Sequence, residues 1–434
     1  MMFQKYDYTR TLMLKLDLAI PDPEMGCKVM CTFDQALEIV KQIDRMTPGY
    51  TKVLYLVGWQ YNGHDDRYPE FFEVNGQLKS PGDATARDSL LRLVEEAQKY
   101  NTVISYHINI SDAYQESALW PEYMANDLIL LGRNGQPKVT GVWGGRNAYQ
   151  VRLAQEWESG YFQKRVDRLL ELLPIEEAGT VHIDAFFVRR GRHTPIAREK
   201  AARRKMIEYF NSRGVEVTSE FIYREQNSGL RLHWGTSDTI GLIPAFWNPV
   251  LSPREILKYP ATLVGYGEQC TALTPYKSLE WLIYGNLHGE DILLDHEKPD
   301  WVQRFLKRFI TYTVPHYYLN QFQRQKMCGV GQSRRLCHSG GVVSCVDGHR
   351  IEQNGRVLKR GNDLCLPEVI RPNSYLAYSE SGGEQTWYLA GKTANIRRLT
   401  PDGVSDQVER VPIINGAVRR HTQPESAWQI EVEV

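Results

Sequence analysis

TVHIDAFFVRRGRHTPIAREKAARRKMIEYFNSRGVEVTSEF, residues 180–221, is the stretch on which the reading of the fold turns. It opens on a short β-branched and apolar run, TVHIDAFF (180–187), and passes into a segment of helical period, AREKAARRKMIEYFNSRG (197–214). It closes on a second short run, VEVTSEF (215–221). Gly214 stands where a helix C-cap needs a residue free to turn left-handed. Strand, helix and strand in succession predict a parallel pair joined by a crossover helix.

Outward from that unit the same alternation recurs. Strands are expected at TLMLKLD (11–17), KVLYLVGW (52–59), TVISYHIN (102–109), TIGLIPAF (239–246) and ATLVGYG (261–267). Helices are expected in DQALEIVKQIDRM, ARDSLLRLVEEAQKY and GYFQKRVDRLLELL, before the second, third and fourth strands. With an eighth strand expected between residues 280 and 320, the pattern predicts an α/β fold, a TIM-type (β/α)8 barrel over residues 1–325. Beyond residue 325 short strands are separated by Gly, Asn, Asp and Pro, as in GGVVSCVDG, RIEQNGRVLKRG and AWQIEVEV. Asn354-Gly355 and Pro401-Asp402-Gly403 are hairpin-type turns. A C-terminal antiparallel β-domain, sandwich-like, is expected over residues 326–434.

Composition narrows the function. Lys plus Arg and Asp plus Glu number 52 each among 434 residues. Zero net charge removes the electrostatic footprint of a nucleic-acid or membrane-surface binder. No apolar run approaches the roughly 20 residues that span a bilayer, so no membrane partner is expected. In the N-terminal segment Lys15 and Asp17 interrupt the apolar stretch, and no signal peptide is read there. Seven cysteines, an odd number without a CxxC pair, predict reduced thiols and a cytoplasmic location. Cys328, Cys337, His338 and Cys345 match no zinc spacing, so no metal is expected.

In a barrel of this type the reacting groups sit at the C-terminal ends of the strands. Polar residues gather there: GWQYNGHDDRYPEFF (58–72), HINISDAYQES (107–117), HIDAFF (182–187), and TSEF followed by a loop reaching LHW (232–234). Aromatic rings beside amides, carboxylates and imidazoles suit a sugar, whose CH faces stack and whose hydroxyls need paired donors and acceptors. Asp184 and Glu220 end consecutive strands. Neighbouring strands lie about 4.8 Å apart, so the two carboxyls can approach the roughly 5–5.5 Å of a retaining glycosidase. Asp184 would then be the nucleophile and Glu220 the acid/base; the competing reading makes one of them a cap or rim carboxylate. His64 and Asp65 form a turn that is either structural or presents a carboxylate to sugar hydroxyls. His107, Asn109 and Tyr114 carry the same pair of readings. Trp143, followed by two glycines, is an aromatic loop that could close over a ligand, or a surface turn.

The ordered set GWQYNGHDDRYPEFFEVN, HINISDAYQES, HIDAFF and TSEF…HW resembles the catalytic barrel of glycoside hydrolase family 101, the endo-α-N-acetylgalactosaminidases, over residues 50–240. The resemblance implies release of Gal-β1,3-GalNAc from O-glycoproteins with retention, with Asp184 as nucleophile and Glu220 as acid/base. It places His64 and Asp65 against the sugar hydroxyls, Trp59 and Gln60 beneath them, and His107, Asn109 and Tyr114 at the pocket wall. Trp143 is a loose counterpart of the family's aromatic lid, and Trp234 falls in the TSEF…HW segment. The pattern departs at Asn62, where the family carries an acid. The expected activity is retaining hydrolysis of α-linked GalNAc- or Gal-configured sugars from an oligosaccharide or glycopeptide, without a cofactor. An exo-acting α-galactosidase or α-N-acetylgalactosaminidase is the alternative. A non-catalytic carbohydrate-binding barrel is the rival from another class.

Overall fold

A computed structural model describes residues 5–7, 9–184, 186, 188–189, 191–219, 231–232, 280–285, 293 and 295–434. Two compact units divide the chain: Met1–Tyr6, Leu14–Ile39 and Val53–Leu232 form one, and Asp7–Met13, Val40–Lys52 and His233–Val434 the other.

Up to Leu232 the chain carries strands β1 (Leu12–Asp17), β2 (Ala19–Asp22), β3 (Gly26–Val29), β4 (Lys52–Val57), β5 (Thr102–Asn109) and β6 (Asp112–Ala113). It continues with β7 (Val139–Trp143), β8 (Arg146–Gln150), β9 (Thr180–Asp184), β10 (Glu216–Ser219) and β11 (Arg231–Leu232). Six of them make one sheet in the order β1, β4, β5, β9, β10, β11. The last four pair in parallel, so the order follows the chain, as strand-helix-strand units require. Among the described residues the sheet is open and not a closed barrel. The strands expected at 239–246 and 261–267 lie outside those residues.

Between residues 280 and 320, where a strand was expected, the described residues form helices at Glu280–Ile283, Trp301–Arg308 and Val314–Leu319, with a π-helical turn at Phe309–Thr313. FITYTVPHYYL has strand-like propensity. The segment Phe309–Leu319 is buried at every position, so its packing inside the protein overrides propensity.

Strand alternation gives the sheet two unlike faces. Leu54, Leu56, Ile104, Tyr106, Ile108, Val181, Ile183 and Val217 are buried on one. Helix α1 (Phe33–Met46), α2 (Ala86–Gln98), α3 (Trp120–Ala125), α4 (Leu153–Glu158), α5 (Tyr161–Leu172), α6 (Ile175–Ala178) and α7 (Ile196–Ser212) accompany the strands, and α2 packs on β5 and α7 on β10. A capping box starts α2: Thr85 Oγ1 accepts from the Asp88 amide at 3.1 Å and Asp88 from the Thr85 amide at 2.9 Å. After α7 Gly214 turns left-handed at φ +71°, as its C-cap position predicts. The other face is polar, and its groups satisfy one another in a ladder. The Tyr55 hydroxyl meets Thr180 Oγ1 at 2.7 Å, Thr218 Oγ1 reaches Tyr55 at 3.2 Å, and His182 Nδ1 lies 2.8 Å from Thr218 Oγ1. Above this ladder the same face continues to His107, Asn109 and Asp184.

In the second unit eleven antiparallel strands, from Arg324–Cys328 to Ser426–Glu433, form one sheet, and Gly383–Tyr388 pairs with Ala417–Thr422. Residues of both sheets share a core of Ala377, Trp387, Ala394, Ile396, Val418, Trp428 and Ile430, with Trp387 and Trp428 rings 5.1 Å apart. Asn354 at φ +51° and Gly355 at φ +79° make the two-residue turn that Asn-Gly predicts. The six described cysteines are unpaired thiols; Cys270 lies outside the described residues.

Candidate active site

Parallel register brings the polar side chains together at the strand ends. His107 pairs with His182 and Asn109 with Asp184 across β5 and β9. His107 Nε2 lies 3.6 Å from Asp184 Oδ2. Asn109 Nδ2 reaches Asp184 Oδ2 at 3.4 Å and donates to Asp112 Oδ2 at 3.0 Å. The Asn109 side chain and the His107 ring are buried, while Asp184 keeps 15% of its side chain open. Both of these contacts go to Oδ2, and part of the side chain stays accessible.

The loop after β4 supplies the opposite wall, and its shape is dictated by two glycines. A Cβ on Gly58 would lie 2.0 Å from the Ala19 carbonyl oxygen, and one on Gly63 2.4 Å from it, both at positive φ. This close approach lets the His64 amide donate to Ala19 O at 2.9 Å. The next residue, Asp65, adopts φ +58°, a left-handed conformation that aspartate tolerates better than most side chains. Of the two consecutive aspartates, Asp66 is absorbed by the loop. It accepts from Asn62 Nδ2 at 2.9 Å and pairs with Arg146 Nη1 at 2.5 Å. An acid at position 62 would repel Asp66, whereas the Asn62 amide donates to it. Asp65 is left beside His64, with Oδ2 3.3 Å from Nε2.

His64 crosses His107 edge to face at 4.9 Å between ring centroids. Burial pushes the His64 pKa down, but Asp65, Asp184 and Asp17 together outweigh it and hold it above the usual histidine range. Donor atoms of His64, His107 and Asp184 lie within 4.8 Å of one another, a spacing that a sugar hydroxyl or a cation can bridge.

Tyr114 and Gln60 are buried beside the loop after β4. The Gln60 amide donates to the Tyr68 hydroxyl at 2.9 Å, and the Tyr68 and Tyr114 rings lie 6.3 Å apart. Gln60 Oε1, His64 Nδ1 and the Tyr114 hydroxyl are buried without a hydrogen-bond partner among the described residues. Burial, then Asp65, pushes both phenols well above the usual tyrosine range, so they remain donors.

Trp59 is placed differently from the platform that the family resemblance implies. It is wholly buried, its indole N–H donates to the His107 carbonyl at 3.1 Å, and its ring meets Tyr106 edge-on at 5.6 Å. It supports the strand that carries His107. Trp143 is 45% exposed near the tip of the hairpin formed by β7 and β8, where Gly144 and Gly145 at positive φ make a tight turn. Its cross-strand partner is Arg146, whose guanidinium lies 5.7 Å over the Tyr114 ring. Glu220 and Trp234 lie outside the described residues.

Sequence reasoning passed over Asp112, Asp66, Arg146 and Tyr68. Asp112 had a local signal. Asn109 Oδ1 accepts from the amides of Ser111 and Asp112, each at 2.9 Å, the turn that Asn-x-Ser-Asp favours after a strand. Burial, then Asp65 and Asp184, pushes the Asp112 carboxyl up to about 8.

A family model described as endo-α-N-acetylgalactosaminidase matches residues 20–244. No curated protein matches the chain. Among solved structures, ligand-free α-N-acetylgalactosaminidase NagBb from Bifidobacterium bifidum is similar at 13% identity and a TM-score of 0.53, over 79% of this chain and 57% of that one. Its GalNAc complex matches at 13% identity and 0.54, over 80% and 57%. This chain thus spans 57% of the length of that relative, and likeness at such identity speaks for the fold alone. The family match covers just over half of the chain and every described residue of the pocket, and the chain belongs to glycoside hydrolase family 101, the endo-α-N-acetylgalactosaminidases.

Proposed function

We propose that the pocket hydrolyses α-glycosides of GalNAc- or Gal-configured sugars with retention of configuration. The observation that carries this reading is the setting of Asp184: a partly open carboxylate at a strand end, flanked by Asn109 and His107 and facing His64 and Asp65. A second observation supports the pairing with Glu220. Ser219, its predecessor in the chain, is in register with Ile183, the predecessor of Asp184. Consecutive parallel strand ends suit two carboxyls about 5–5.5 Å apart.

In this reading Asp184 attacks the anomeric carbon while Glu220 delivers a proton to the departing glycosidic oxygen. A glycosyl ester forms as the glycosidic bond breaks. Water, deprotonated by Glu220, then attacks the same carbon and releases Asp184. His64 and Asp65 hold sugar hydroxyls, which distinguish galactose-configured from glucose-configured rings through buried polar groups that only one epimer satisfies. Two carboxylates supply the chemistry without a cofactor. The substrate is an oligosaccharide or glycopeptide, the sheet is part of a (β/α)8 barrel, and the protein works in the cytoplasm.

Endo against exo action is decided by comparing Gal-β1,3-GalNAc-α-aryl, GalNAc-α-aryl and Gal-α-aryl substrates. Turnover of the first identifies the endo enzyme. Turnover of only the monosaccharide substrates identifies an α-N-acetylgalactosaminidase or α-galactosidase, and inactivity on all three contradicts the hydrolase reading in favour of a binding barrel.

A further inference from the structure

The Asn109 side chain is a joint between two carboxyl groups. Its oxygen is committed: Oδ1 accepts from the amides of Ser111 and Asp112, each at 2.9 Å, and from the Ser111 hydroxyl at 3.2 Å. Backbone donors therefore fix which way the amide faces, and Nδ2 must point at the acids. One contact goes to Asp112 Oδ2 at 3.0 Å and the longer one to Asp184 Oδ2 at 3.4 Å. Asp112 is buried on the two-residue strand whose register sets it opposite Gln150 of β8.

We propose that Asp112 is a positioning residue for Asp184, acting through Asn109. This rests on the reading of Asp184 as nucleophile. Asp112 anchors the amide so that its second hydrogen meets the inner oxygen of Asp184, leaving the outer oxygen to attack.

The charge state of Asp112 matters because of what faces it. Asp65 approaches from the loop after β4, Asp184 from β9 and Arg189 from the segment after β9, with Tyr68 and Tyr114 nearby. Burial and the two aspartates outweigh Arg189 and push Asp112 up to about 8. At neutral pH it carries its proton and adds no negative charge beside the nucleophile. Above that pH an ionised Asp112 draws the amide toward itself and repels Asp184.

The test measures kcat and KM from pH 5 to 10 for the parent, Asp112→Asn and Asp112→Ala on an aryl α-GalNAc substrate. Asp112→Asn retains an oxygen acceptor for Asn109 and cannot ionise. It should keep kcat at pH 7 within about threefold and move the basic limb upward by about one unit or more. Asp112→Ala should lower kcat by about 10- to 100-fold with little change in KM, the signature of a misplaced nucleophile. An Asp112→Ala kcat within about twofold of the parent, or an unmoved basic limb in Asp112→Asn, overturns the proposal.

Melting temperature against pH gives a readout independent of turnover. A folded pKa near 8, above the unfolded value of about 3.9, makes the folded state hold the extra proton, so this group's contribution falls as pH rises between those values. Asp112→Asn should abolish that fall; identical pH profiles for parent and variant overturn the buried neutral acid. A parent inactive on every α-glycoside overturns the reaction assignment and the positioning role together, whatever the melting curves show.

Discussion

Asp112 in the strand-end pocket and Lys359 in the C-terminal sheet are both buried and both brought to titrate near neutrality, by different routes. Asp112 is pushed up to about 8 by burial reinforced by two more carboxylates, Asp65 and Asp184. Lys359 is pushed down to about 7 by burial, against the pull of Glu380 and Asp363 and with a small push from Arg308. The Lys359 amine donates to the Gly361 carbonyl and lies 5.3 Å over the Tyr284 ring. The lysine is a buried amine among compensating partners. The aspartate sits where carboxylates converge and holds its proton at neutral pH, which spares the nucleophile a further negative charge beside it. A perturbed pKa alone does not separate the two regions; the sign of the neighbours does.

The widest gap between the regions should appear in catalysis. Asp184→Ala should reduce turnover on the order of 10³-fold or more without loss of the folded state, and azide should restore part of it as a glycosyl azide of inverted configuration. Lys359→Met should leave turnover intact, measured on the same substrate; equal losses would erase the distinction. Stability against pH sharpens it. The folded Lys359 pKa near 7 lies below its unfolded value of about 10.4, so this group's contribution rises with pH across that window, opposite to Asp112. Urea unfolding of the parent and Lys359→Met from pH 6 to 10 should show the rise in the parent only.

Asn109→Ala removes the joint and should cost about 10²-fold in kcat with KM nearly unchanged. A loss confined to KM would make Asn109 a substrate contact instead. Gly63→Ala should show the smallest effect, a destabilisation of roughly 1–3 kcal/mol in urea unfolding, since its Cβ meets the Ala19 carbonyl at 2.4 Å and its φ is +123°. A neutral Gly63→Ala would mean that the loop after β4 is not held as described.

Much of this was legible in sequence because it is local. Thr102–Asn109 forms the strand that its alternation predicts, residue for residue, and the helix before Gly214 ends where the glycine requires. His64, Asp65, His107, Asn109, Tyr114 and Asp184 stand out in the sequence because polar groups follow where apolar strands end. Trp59 shows the limit: it adjoins Gln60 and His64 in the chain, yet Gly58 at φ +73° redirects the backbone and the indole turns under His107. Asp112 was hidden for another reason. Its raised pKa comes from burial and then from Asp65 and Asp184, residues far away in the chain, and no local pattern carries such convergence. The same holds for Asp66 and Arg146, which meet across 80 positions.

The central claim is that the Asp184 carboxylate is the group that bonds to the sugar. Incubation with 5-fluoro-α-galactosyl fluoride, followed by proteolysis and mass spectrometry, tests it directly. The account predicts one glycosylated peptide, with the label on Asp184. A label on another carboxylate, or full inactivation by the reagent with Asp184 unmodified, would contradict it.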